Sequence, residues 1–388
     1  MRDYVEIGIG REARKAYQLN DISLVPSRRT RSSADVDTSW NIDAYTFDVP
    51  LVSHPTDALA SPEFVIEMGK QGGLGVLNAE GILARHASLD DAIARVVGAG
   101  VPDDIFEMNT SVAEFIRATR DTTAALQELH AAPLDHDLLA ERIAQVRDSG
   151  VTVAVRVSPQ NARELAPVVI KAGAEILFIQ GAVISAEHVQ RGGEPLDLKE
   201  FIGSLEVPVI TGGVYDYTTA MHLMRSGAAG VIVGSGVISG NASVGVGVPM
   251  ATAIADVAAA RREYLDETGG RYVHILADGE INNSGNVAAA IACGADAVIL
   301  GRLLARATEA AGHGSYWESV SAHPRYPRGS VEPVSLGEER IPLGQVLGGP
   351  ASEPYGETNI VGGLRRIMAK CGYTDTKSFQ KVGLTLAR

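Results

Sequence analysis

Eight short apolar runs, most of them closed by Gly or a small polar residue, constrain this chain more than any other feature. They are VPLVSHP from Val49, GLGVLN from Gly73, TVAVRVS from Thr152, ILFIQG from Ile176, VPVITGG from Val207, GVIVGSG from Gly230, YVHILADG from Tyr272 and AVILGR from Ala297. Continuous rather than alternating apolarity marks a strand covered on both faces, as in a parallel sheet wrapped by helices. Helix-period sequence separates most of them, such as SPEFVIEMGKQG from Ser61 and NARELAPVVIKAG from Asn161. Several of these helices end in Gly-Ala or Gly-Gly, where glycine supplies the left-handed cap that turns the chain back. Most starts lie 23 to 31 residues apart, the repeat of a closed α/β (β/α)8 TIM barrel. An open doubly wound sheet is the alternative, but eight regular units exceed what most open sheets use.

Two gaps break the rhythm. Strands two and three start 79 residues apart, and segment 85–149 between them is mostly helix-forming. A helical insertion within one barrel domain spanning 1–388 is therefore expected, with irregular N- and C-terminal extensions. The gap from strand six to strand seven, 42 residues, holds a glycine-rich loop and the helix PMATAIADVAAARREYL. With 34 Lys+Arg against 47 Asp+Glu, the net charge of −13 argues against nucleic acid or an anionic membrane as a partner. One phosphorylated small ligand stays compatible, because its site is built locally. The two cysteines, Cys293 and Cys371, are too far apart for a metal knuckle or redox pair, and no metal is expected. The opening MRDYVEIGIGREARK lacks the apolar core of a secretory signal, and no apolar run reaches membrane-spanning length, so a cytoplasmic protein is expected.

Barrels of this kind place chemistry just after each strand. The residues there include Ser53, His54, Thr56 and Asp57 after strand one, and Gln180 after strand four. Gly234, Ser235 and Gly236 follow strand six, Asp278 to Ser284 follow strand seven, and Gly301 with Arg302 follow strand eight. Phosphate sites recur at the last two loops, where backbone amides meet a helix N-terminus. LADGEINNSGNV and Gly301-Arg302 suit such a site, though the same glycines can simply close tight turns, and the residues alone leave both readings open. His54 reads more readily as structural than catalytic. No metalloprotease, nucleophile-elbow or Walker signature occurs, and the catalytic residues stay unassigned.

Several segments, in order, resemble the IMP dehydrogenase/GMP reductase superfamily. YQLNDISLVPSRRT is similar to the family's lead-in to the barrel, and DVPLVSHPTDALASPEFVIEMGKQGGLGVLN to its first two strands and first helix. SGAAGVIVGSG with VGVGVPMATAIADVAAAR resembles strand six and helix six. GGRYVHILADGEINNSGNVAAAIACGADAVILGRLLARATEA resembles strands seven and eight with the nucleotide-phosphate loops, and NIVGGLRRIMAKCGY the C-terminal helix. Many members interrupt the barrel after strand two with a CBS pair. Here the helical segment stands in that place, which resembles the IMP dehydrogenase-related branch lacking it. The resemblance implies a purine nucleotide such as IMP as ligand, NAD as cofactor, IMP oxidation to XMP in guanine-nucleotide synthesis, and a homotetramer. It implies Ser53, Asp278, Gly279, Ser284 and Gly301 as substrate-binding residues, Asp278 on the ribose hydroxyls, and the loop after strand eight adds Arg302 to that set.

The chain departs from the family at its centre. The family loop after strand six reads Gly-x-Gly-x-Gly-Ser-x-Cys-Thr, and its cysteine attacks the purine. Here the loop carries Gly234, Gly236, Ser239, Asn241 and Ser243 and no cysteine. Ser239 and Ser243 are oxygen nucleophiles without a visible base. The family's Asp-Gly-Gly is Asp278-Gly279-Glu280, its Ser-Gly-Asp is Ser284-Gly285-Asn286, and its Gly-Ser is Gly301-Arg302. Gln180 stands where the cofactor side has an aspartate, and Thr56 where a methionine is usual. The family reaction is therefore expected to be impaired or absent, the alternative being an inactive nucleotide-binding or assembly relative. Glu280 and Arg302, at neighbouring strand ends, are expected to pair across the emptied phosphate site. Otherwise Arg302 holds phosphate and Glu280 points outward.

Overall fold

All eight apolar runs become parallel strands, and they pair side by side into one ring. They are β1 (Leu51–Ser53), β2 (Val76–Asn78), β3 (Ala154–Val157), β4 (Ile176–Gln180), β5 (Val209–Val214), β6 (Gly230–Gly234), β7 (His274–Asp278) and β8 (Ala297–Leu300). The order is β1-β8-β7-β6-β5-β4-β3-β2. A bridge between Val52 and Leu74 closes the remaining seam, with Ser53 N donating to Leu74 O at 2.9 Å. This is the expected (β/α)8 barrel. The computed structural model describes residues 4–99, 112–181, 184, 196–236, 245–322, 331–335 and 340–386, with backbone alone at 112–118, 320 and 321.

Strand side chains alternate, so each strand feeds two cores. Val52, Val76, Ala154, Phe178, Ile210, Ile232, Leu276 and Ile299 fill the barrel interior. Their neighbours Leu51, Leu77, Val155, Leu177, Val231, Ile275 and Val298 pack outward onto the helices. A small hairpin, Trp40–Ile42 against Tyr45–Phe47, plugs one end. Trp40 and Phe47 stack at 5.1 Å between ring centroids, and both belong to the interior cluster.

Helix α1 (Pro62–Lys70) starts where Ser61 caps the Phe64 amide and proline opens the first turn. Helices α2 (Leu89–Gly98) and α3 (Val112–Ala131) follow β2. Next comes α4 (His136–Asp148), capped by Asp135. It buries Leu139, Ile143 and Val146 and packs against both α1 and α5 (Ala162–Ala172). That is the place of a barrel crossover helix. The expected insertion at 85–149 is thus α2 and α3 joined to the barrel's own second helix, which the same helical periodicity cannot separate. Helices α6 (Leu198–Gly203), α7 (Tyr217–Arg225), α8 (Met250–Glu267) and α9 (Ser284–Cys293) continue the ring. The caps read from sequence hold at Gly173 and Gly294, whose φ values are +119° and +125°.

In the tail, α10 (Leu343–Gly348) leads to α11 (Ile360–Lys370) and the short α12 (Thr376–Phe379). Helix α11 packs against α9. The last strand, Leu384–Leu386, pairs antiparallel with Ile22–Leu24 of the lead-in. No helix among the described residues is long and apolar enough to cross a membrane.

Candidate active site

One step beyond the apolar interior layer, the same alternation aims polar side chains into the open mouth. His54 follows Val52, Asn78 follows Val76, Arg156 follows Ala154, Gln180 follows Phe178 and Asp278 follows Leu276. Glycines stand at the matching places on the other strands, with Gly212 in register with Gln180 and Gly234 with Asp278. A small cleft opens there, between His54, Arg156, Gln180, Ser235, Glu318 and Ser319.

The cleft floor disfavours charge on both of its titratable groups. Burial, then the Arg156 charge, pushes the His54 imidazole down to about 4. Burial, then the Glu318 carboxylate, pushes the Asp278 carboxyl well up, against a hydrogen bond from Gln180. His54 Nε2 lies 3.5 Å from Asp278 Oδ2, and Gln180 Nε2 donates to the same oxygen at 2.9 Å. His54 Nδ1 and Gln180 Oε1 are buried with no partner. Buried polar atoms are nearly always satisfied, so these two mark where a ligand or water belongs. At the wall, Tyr215 Oη and Ser235 Oγ lie 2.6 Å apart. Burial first, then the charges of Asp278, Glu318 and Glu280, push the Tyr215 phenol up, so all three carboxyls border this wall.

Among the described residues, the one guanidinium lining the cleft is already committed. Arg156 donates to Gln180 O at 2.8 Å, Asn78 Oδ1 at 3.3 Å and Glu80 Oε2 at 3.2 Å. Glu80 also accepts from Ser158 Oγ at 2.9 Å, from the Ser158 amide and from Asn161 Nδ2. Asp57 turns away from the cleft to bind the Ile82 amide at 2.9 Å and His130 of α3 at 2.8 Å.

Several residues expected at a ligand lie elsewhere. Ser53 has the other strand parity: it is fully buried, and its hydroxyl accepts from Val76 N at 3.0 Å across the closing seam. His54, the next residue, takes the place at the mouth. Ser284 opens α9 beneath α11, where Gly363 leaves it room; a Cβ there would meet Ser284 Oγ at 2.5 Å. Gly301 faces Tyr316, whose hydroxyl a Cβ at 301 would meet at 2.3 Å. Arg302 and Glu280 do not pair: Arg302 Nε lies 3.7 Å from Glu332, and Glu280 Oε2 accepts from Leu19 N at 3.4 Å. Gly279 sits under Gly236, and Gly236 N donates to Asp278 O at 3.0 Å. Gly234 ends β6; Ser239, Asn241 and Ser243 lie outside the described residues.

Neither thiol is near this chemistry. Cys293 ends α9 on the outer ring, where burial pushes it up to about 11, and burial also raises Cys371 at the end of α11. Among the described residues no group of three His, Cys, Asp or Glu could hold a metal ion. Sequence reasoning missed Arg156 and Glu318. Alternation within TVAVRVS would have aimed Arg156 inward, whereas Glu318 comes from irregular tail with no pattern to mark it.

Comparison with known proteins agrees with this architecture. The model of the IMP dehydrogenase/GMP reductase domain matches residues 16–342. A protein named uncharacterized oxidoreductase from Mycolicibacterium smegmatis is 59% identical, over 98% of this chain and 99% of its own. Inosine-5'-monophosphate dehydrogenase from Methanocaldococcus jannaschii is 26% identical, over 95% of this chain and 92% of its own. The crystal structure of an IMP dehydrogenase/GMP reductase-like protein from Corynebacterium glutamicum superposes with a TM-score of 0.90 at 64% identity, covering 99% and 98% of the two chains.

Proposed function

The chain belongs to the IMP dehydrogenase/GMP reductase family, and on that premise we propose that its barrel mouth binds a purine ligand without the family's thiol chemistry. The observation that carries this is the placement of cysteine. Adding to a purine ring reversibly requires a soft thiolate. The chain has two thiols, one on the outer ring of helices and one ending α11, and none in the loop after β6. The purine part of the reading rests on family membership and on the two unpartnered atoms, His54 Nδ1 and Gln180 Oε1, which offer a heteroaromatic edge its hydrogen bonds.

The described residues do not supply the carboxylate that the resemblance places on the NAD side. The position that would hold a cofactor-side carboxylate is Gln180, whose amide nitrogen is turned to Asp278. No step through a dinucleotide follows from this geometry. The competing reading, IMP oxidation with NAD, has in its favour the retained Asp278 and the oxidoreductase names of the mycobacterial relatives. Two assays decide between them. Incubation with IMP and NAD should produce no NADH absorbance, and calorimetric titration with inosine should give saturable one-site binding. NADH formation would refute the proposal, as would the absence of any purine binding to folded protein.

A further inference from the structure

Two stretches of chain outside the strands form walls of the cleft. His54 and Pro55 come from the loop after β1, and Glu318 and Ser319 from the tail. They are tied to each other: Thr56 Oγ1 donates to Trp317 O, and Ser319 Oγ to Pro55 O at 3.1 Å. Both also meet α3. His130 Nε2 lies 2.8 Å from the buried Asp57 carboxylate, and the turn Ser319–Ala322 packs against the same helix. A third path reaches the cleft from just past α3. Arg85 Nη1 donates to Ala132 O and Arg85 Nε to Glu80 O at 3.2 Å, and the Glu80 carboxylate holds Arg156, which lines the cleft. His86 Nε2 lies 3.0 Å from Leu129 O, and Leu126 and Leu129 are buried in the outer core. The C-terminal half of α3 is therefore seated on the barrel.

We infer that α3 is a clamp on the mouth: seated through His130, a positioning residue, it holds both walls at once, so that its docking and the filling of the cleft favour one another. Irregular segments are the parts of a fold that open most easily, and a helix that grips two of them restrains both. Coupling of this kind is reciprocal: a ligand between the walls tightens α3, and loosening α3 weakens the ligand. The clamp itself follows from the contacts above, and only its ligand arm rests on the purine reading.

The test uses the full chain with His130→Leu, which fills space without a polar group, and His130→Gln, which keeps a donor for Asp57. Hydrogen exchange read by mass spectrometry should run at least about fivefold faster at 53–57 and 315–319 in His130→Leu than in the wild type, with α7 unchanged and His130→Gln close to the wild type. Arg95→Ala removes the exposed Arg95–Glu128 pair between α2 and α3 and should leave both stretches as they were. In calorimetry His130→Leu should bind inosine at least about fivefold more weakly, with most of the loss recovered in His130→Gln. Unchanged exchange at 53–57 and 315–319 in His130→Leu would overturn the inference. An equal rise in α7 would do the same, since it marks general destabilisation. Equal inosine affinity in wild type and His130→Leu would also overturn it while leaving the purine site intact. If inosine does not bind the wild type, the purine reading fails, and exchange in the free protein alone judges the clamp.

Discussion

Replacing His130 with alanine should destabilise the protein by about 3 kcal/mol near neutral pH and far less in acid. Asp57 and His130 have side chains 1% and 15% exposed, and they meet at 2.8 Å, joining β1's loop to α3 of the insertion. Burial opposes the Asp57 charge, but His130, the Ile82 amide and Arg85 outweigh it and hold the carboxyl below its ordinary range. Removing the hydrogen-bond partner of a buried acceptor costs about 1–3 kcal/mol, more for a charged one, and about 3 kcal/mol applies here because the Ile82 amide and Arg85 remain. The sign of the pH dependence follows. A depressed folded pKa contributes stability that is present above the unfolded value of about 3.9 and is lost as pH falls through the folded one. In the variant burial prevails, the folded pKa rises, and ionisation opposes folding instead. The difference between the two proteins is therefore widest near pH 7 and narrows toward pH 4, where only lost packing of the imidazole remains. Urea unfolding followed by far-UV circular dichroism at both pH values measures it. A loss below about 0.5 kcal/mol, or an equal loss at both pH values, would refute the reasoning.

Four further outcomes are expected. His54, pushed down to about 4 from an unfolded value near 6.5, binds its proton only when unfolded over that interval; it should cost about 3 kcal/mol as pH falls through it, and His54→Gln should flatten that part of the stability profile. Tyr316→Phe should stabilise by about 1 kcal/mol, because it removes a buried hydroxyl without a partner. Gly301→Ala should destabilise by about 2 kcal/mol, through a Cβ placed 2.3 Å from that hydroxyl, and Tyr316→Phe should recover part of the loss; equal losses in both backgrounds would count against the contact. Cys293, pushed up to about 11, should react with iodoacetamide at neutral pH far more slowly than a free cysteine peptide, read by intact-mass spectrometry.

The barrel was legible because each strand is buried on both faces, and an apolar run of that kind has few other uses. The missing thiol was legible too, since a composition of two cysteines leaves few places to look. The face of each residue was less so. Ser53 and His54 differ by one position, and in a strand one position exchanges the mouth for the outer core. Glu280 was read against Arg302 because their strands are neighbours. Its actual partner, the Leu19 amide, comes from the lead-in, and a backbone donor leaves no mark in a sequence. The insertion ran one helix too long because α4 carries the same period whether it crosses a barrel or sits outside it.

The pairing of Leu384–Leu386 with Ile22–Leu24 joins chain segments some 360 positions apart, 362 between Ser23 and Thr385. Closing a contact of such separation costs more chain entropy than a local one. Leu19 lies three residues before this ribbon, and its amide donates to Glu280. The loop after β7 is thus braced by a lead-in that the far end of the chain holds in turn. Loosening the C-terminal strand should be felt at the opposite end of the sequence, in the segment that steadies Glu280.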